Sequence, residues 1–115
     1  MSGLKEMKCE PCSGETATGV SDSEAAELQA QVSHWRMVSH RGGKHLEREF
    51  AFDDFAEALE FTRKVGTLAE QENHHPSLLT EWGRVRVKWW THKIHGLHRN
   101  DFIMASKTDD LYGVD

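Results

Sequence analysis

Residues 70–93 read EQENHHPSLLTEWGRVRVKWWTHK, and this stretch decides the fold. Val85, Val87, Trp89 and Thr91 alternate with Arg86, Lys88, Trp90 and His92, the period of two expected of a strand with one buried face. Leu78 to Trp82 reads as its partner, so the segment predicts a hairpin around Gly83 that runs on to Lys93. Pro76 pushes the residue before it out of the α region and must end any helix that precedes it. His74 and His75 are therefore expected at a helix exit.

Upstream, Asp53 and Asp54 offer an N-cap, and Phe55, Leu59, Thr62, Val65, Leu68 and Ala69 recur at helical spacing. They predict a long helix from about Asp54 to Glu72. Trp35 to His40 and His45 to Phe52 are strand-like and joined by Gly42-Gly43, with Leu46, Phe50 and Phe52 forming an apolar row. Ser21 and Glu24 have capping-box spacing, and Ala25, Leu28 and Val32 form a stripe, predicting a first helix from about Asp22 to Val32. A last helix between Asp101 and Tyr112 carries Phe102, Ile103, Ala105 and Leu111 after a Gly96-Leu97 entry. The expected class is α+β, in the order αββαββα: a four-stranded antiparallel sheet with helices packed on one face.

The 115 residues have room for one core, assigned to residues 21–115, while residues 1–20 lack an apolar period and are expected to be a flexible tail. No apolar run approaches the roughly 20 residues that span a bilayer, and Met1 to Lys8 lacks an apolar signal region, so a cytoplasmic protein without membrane contact is expected. A net charge of −5 argues against nucleic-acid binding, and the short basic run Arg84, Arg86, Lys88 reads as the solvated face of a strand. The only cysteines, Cys9 and Cys12, form a C-x-x-C without the further ligands of a zinc site or the βα context of a redox site, and read as thiols on the tail.

With Gly83-Arg84 as the turn, Trp82 pairs with Val85 and, counting outward, His75 faces His92, with Cβ atoms about 4.5 to 5.5 Å apart. A slip of two would still leave residues 74–76 beside Thr91-His92, with a different histidine facing the site. A lone histidine is ordinarily structural, but three gathered at one end of a sheet suggest proton transfer, because an imidazole titrates near pH 6.5. The C-terminal end of the long helix favours a protonated ring at His74 or His75. Glu70, four residues before His74, is placed either to orient that ring or simply to face solvent. His92, His95 and His98 recur every third residue, but no signature such as H-E-x-x-H accompanies them, so no metal is expected.

Glu70-x-x-x-His74-His75-Pro76, Trp82, Trp90-Thr91-His92-Lys93, Gly96-Leu97 and Asn100-Asp101-Phe102-Ile103 together give a sequence that resembles the pterin-4a-carbinolamine dehydratases from about Ser21 to Tyr112. Lys8-Cys9-Glu10-Pro11-Cys12 looks like the corresponding segment of bacterial members. The resemblance implies the αββαββα fold and oligomerisation through the sheet, as a homodimer or homotetramer. It also implies dehydration of 4a-hydroxytetrahydropterin to quinonoid dihydropterin, which recycles the pterin of aromatic amino acid hydroxylases. Paired general acid and general base work of this kind needs neither metal nor cofactor.

Carried over, the catalytic histidines fall on His74, His75 and His92, and Glu70, Pro76, Trp90, Thr91 and Asp101 are expected to bind the pterin substrate. His74 and His92 are read as the proton-transfer pair, and His75 as mainly holding the substrate. Many members have Gly-Gly-Leu-Thr where this chain has His95-Gly96-Leu97-His98, so the usual threonine helix cap is replaced and His95 adds bulk near the site mouth. The alternative is a non-catalytic assembly or dimerisation factor of the same fold, a role some relatives have; the intact Glu70, His74, His75 and His92 set argues against it.

Overall fold

The alternating segments on either side of the long helix form a four-stranded antiparallel sheet of order β1-β2-β4-β3. Its strands are β1 (Arg36–His40), β2 (Gly43–Ala51), β3 (Ser77–Glu81) and β4 (Arg84–Trp89). Three helices complete the expected order: α1 (Asp22–Gln29), α2 (Phe55–Glu72) and α3 (Arg99–Tyr112). The computed structural model describes residue 4 and residues 19–40, 43–94 and 96–113, without the side chains of His40 and Lys93. Cys9, Cys12, Gly42 and His95, on which expectations were placed, lie outside the described residues.

One face of the sheet carries Leu46 and Phe50 from β2 and Val85, Val87 and Trp89 from β4, all buried in one cluster with α2 and α3. Phe61 of α2 is the central contact, with its ring 4.8 Å from Phe50 and 5.1 Å from Phe52. Full burial of a side chain of this size contributes on the order of 1.5–3 kcal/mol. Asp109 of α3 closes the far end, accepting from Trp35 Nε1 at 2.8 Å and from Arg48 Nη1 at 2.6 Å. On the opposite face the basic run is a cross-strand lattice of ion pairs: Arg84 and Arg86 meet Glu49, and Lys88 meets Glu47.

The first helix is capped as expected, with Ser21 accepting from Glu24 N, but it ends at Gln29 and continues as a 3₁₀ turn over Ala30–Val32. Leu4, inside the segment read as a tail, is buried in the core. Val20, also inside it, donates its N–H to Leu97 O at 3.1 Å, which ties it to the entry of α3.

Three expectations need correction. Gly43 pairs with His40 as a ladder residue, so the second strand begins at Gly43 rather than at His45. The buried stripe of α2 is Ala58, Phe61, Val65 and Ala69, whereas Phe55 and Leu59 are 44% and 52% exposed. Two stripes overlap on that helix, and Thr62 belongs to the outer one, meeting Thr80 of the edge strand β3 through their hydroxyls at 2.5 Å. In the second hairpin Glu81 pairs with Arg84, so the turn is Trp82-Gly83 and His75 is not opposite His92. Gly83 takes the positive φ of 81° there, and β4 stops at Trp89 rather than Lys93. The end of α2 at Glu72 is as expected, and its cap is Asn73, in the left-handed conformation at φ 53°.

Candidate active site

The exit of α2 sets the site. Asn73 is one of the few non-glycine residue types that adopt the left-handed region readily. Its turn lets His74 N donate to Ala69 O at 3.1 Å, the six-to-one bond of a Schellman cap. The turn sends the two histidines to different environments, and Pro76 holds His75 out of the helical region.

His74 is buried and lies parallel to the Trp89 ring, centroids 5.8 Å and planes 8° apart. Its Nε2 is 2.7 Å from Asp101 Oδ1. Asp101 is fully buried, and its other oxygen accepts from Thr91 Oγ1 at 2.8 Å and from His98 N at 2.9 Å. An ionised carboxylate only accepts, so His74 Nε2 carries a hydrogen in either charge state and Nδ1 is the nitrogen that can exchange a proton. Thr91 is itself pinned by Gly96, with Thr91 N donating to Gly96 O at 2.8 Å.

His75 is exposed, and its Nε2 is 2.5 Å from Glu70 Oε2. Glu70 was expected to orient His74 by helical spacing if it oriented either ring. The Asn73 turn breaks that spacing, and the carboxylate of His74 comes instead from α3. His92 opens the 3₁₀ turn His92–Ile94 and is exposed. It is joined to the buried group by the chain, directly after Thr91. Its ring stacks on Trp90, centroids 4.4 Å apart, and Trp90 stacks on His45 at 4.1 Å.

The expected residues thus form two groups and a strap: His74, Thr91 and Asp101 around one buried carboxylate, His75 and Glu70 at the surface, and Trp90 with His92 leading out of β4. Trp90, expected to bind substrate, is stacked on two imidazoles of its own chain. His98 replaces the usual threonine and still caps α3, its Nδ1 accepting from Asn100 N at 3.0 Å. With Asp101 at the third helical position it completes a capping box, a spacing visible in the sequence. Sequence reasoning missed His45 and Trp89, whose contacts cross strands or elements. Among the described residues no group of three or more His, Cys, Asp or Glu is placed to hold a metal ion, and no helix is long and apolar enough to cross a membrane.

Comparison with known proteins agrees with the resemblance. Residues 18–111 match the family model for pterin 4 alpha carbinolamine dehydratase. A relative in Nitrosococcus oceani is 53% identical over 111 residues, covering 96% of this chain and 97% of its own. Another in Gloeobacter violaceus is 55% identical over 108 residues, covering 94% and 92%. Both bear the pterin-4-alpha-carbinolamine dehydratase name provisionally. Among solved structures, a transcriptional coactivator/pterin dehydratase from Brucella melitensis superposes with a TM-score of 0.76 at 30% identity, covering 84% of this chain and all of that one. A pterin dehydratase-like RuBisCO assembly factor of the alpha-carboxysome shares the fold, with a TM-score of 0.59 at 21% identity over 70% of this chain and 92% of its own. By sequence and by fold, the chain belongs to the pterin 4 alpha carbinolamine dehydratase family.

Proposed function

We propose that this protein dehydrates 4a-hydroxytetrahydropterin to quinonoid dihydropterin by histidine acid–base catalysis, recycling the pterin of an aromatic amino acid hydroxylase in the cytoplasm. The observation that carries the reading is the buried Asp101 carboxylate, which holds His74 on one oxygen and Thr91 on the other, with His92 next in the chain. Loss of the 4a-hydroxyl needs a proton on the departing oxygen as the C4a–O bond breaks. The N5 proton must leave as the N5–C4a double bond forms. Water departs and no electrons are exchanged, so two imidazoles suffice.

Exposure favours His75 and His92 as the proton-transfer pair. His74, expected from sequence to share that work, has a side chain only 8% exposed, against 54% for His75. With Nε2 held by Asp101 it is better suited to present Nδ1 as a fixed hydrogen-bonding group to the pterin. Glu70 orients His75, Pro76 fixes its backbone, and Thr91 and Asp101 act through His74 rather than on substrate.

The test is a tetrahydropterin-dependent hydroxylase reaction to which the purified protein is added without metal. The 4a-hydroxy intermediate should decay faster, and replacing both His75 and His92 by alanine should remove most of the acceleration. An unchanged rate in that double variant would overturn the site. The non-catalytic alternative rests on likeness of fold alone; a negative assay together with a stable protein partner would favour it. Assembly into a homodimer or homotetramer through the sheet is part of the same reading. It is supported by the edge position of β3 and by Leu79 and Trp82, 47% and 73% exposed. A monomeric mass by sedimentation would refute it.

A further inference from the structure

His45 belongs to no motif named so far, yet it is buried, at 3% exposure. Its neighbour Leu46 pairs with Trp89 across the sheet, and both are fully buried on the helix side. Strand alternation therefore sends His45 and Trp90 together to the opposite face. There the two rings lie nearly parallel, centroids 4.1 Å and planes 11° apart. The same indole stacks on His92 at 4.4 Å and 24°.

We propose that His45 is a positioning residue for His92, acting through Trp90: the buried imidazole fixes the indole, and the indole fixes the orientation of the exposed ring. What His92 then does rests on the dehydratase reading above. Among the described residues, Trp90 is the ring that the exposed His92 side chain stacks on. Stacked aromatic rings keep a preferred offset geometry, so the lie of the indole face sets the lie of the ring on it. A flat ring at position 45 sets where that face lies; a flexible side chain of similar polarity does not. The charged groups next along the two strands on this face, Glu47 and Lys88, pair with each other at 3.7 Å, and Glu47 also meets Arg36. Val38 stands across from His45 on β1 and brings no charge.

The test compares H45F, which keeps a flat ring, with H45Q, which keeps polarity without one, in the full-length chain. The His92 ring resonances are followed by NMR, where the ring current of the stacked indole displaces them. H45F should keep the wild-type ring-current shift, while H45Q should lose most of it and move the His92 resonances toward those of an unstacked imidazole. In the dehydratase assay kcat should fall several-fold in H45Q with KM little changed, and H45F should recover it. His92 resonances that stay put in H45Q, or that move in H45F and not in H45Q, overturn the proposal. An inactive wild type would sink the dehydratase reading alone, and the NMR comparison would still decide the role of His45.

Discussion

His74 and His75 are consecutive residues, each with Nε2 on a carboxylate, and their surroundings could hardly differ more. The Asp101 partner of His74 is 0% exposed, whereas the Glu70 partner of His75 is 78% exposed. The contact at the surface is the shorter, 2.5 Å against 2.7 Å, yet it is the weaker constraint. Water screens an exposed pair and competes for both partners, while a buried pair has no alternative partners and is attracted through a lower dielectric. Burial therefore ranks the two interactions, and distance does not.

The largest effect belongs to Asp101. Replacement by alanine leaves the His74 and Thr91 side chains and the His98 N–H without their acceptor, and should cost about 3 kcal/mol of stability. Asp101→Asn separates packing from proton placement. Its amide oxygen can still accept from Thr91 and His98, but its N–H₂ then faces His74 and requires Nε2 to accept. The ring stays in place with its hydrogen moved to Nδ1. D101N should therefore retain more stability than D101A in urea denaturation while losing dehydratase activity at least tenfold, an order-of-magnitude figure for a lost catalytic tautomer. Equal losses of stability in the two variants would mean that the charge of the carboxylate, and not the packing and hydrogen bonds that asparagine keeps, is what stabilises the fold.

Asn73 separates the two histidines, and an intermediate effect is expected there. Asn73→Ala should cost about 1 kcal/mol, because alanine lacks the local side-chain hydrogen bonding that lets asparagine tolerate the left-handed region. Asn73→Gly should be close to neutral in the same denaturation experiment. If N73A were as stable as the wild type, the turn would not be what forces one ring inward and the other outward.

That turn also marks where sequence reasoning stopped. The alternation of Val85, Val87 and Trp89 made the strands legible, and the capping residues Ser21 and Asp54 made two helix starts legible, because each signal is local. The turn of the second hairpin came out one residue off, since glycine suits either position of a two-residue loop and Trp82 carries no turn signal. Glu70 and His74 satisfied a helical spacing that ends at Asn73, and an asparagine within a polar run gives no notice that it will turn left-handed. Asp101 was named among the site residues, but its role behind His74 depends on α3 docking against the exit of α2. His45 needed the cross-strand register to be seen at all.

The smallest effect sharpens the contrast from the exposed side. Glu70→Gln keeps an oxygen that can accept from His75 and removes only the charge. Its stability should change by less than about 0.5 kcal/mol, as for most exposed ion pairs. The activity loss should be modest, because His75 remains exposed and in place and loses only its orienting charge. Salt should act in the same direction in the wild type. Raising ionic strength from about 0.05 to 0.5 M shortens the screening length several-fold, which should loosen Glu70 from His75 and leave Asp101 on His74 untouched. The NMR signals of the two rings can be followed separately through such a titration, and only His75 should respond. Equal responses, or an E70Q variant as destabilised as D101N, would mean that the two carboxylates are equivalent and that burial is not what distinguishes them.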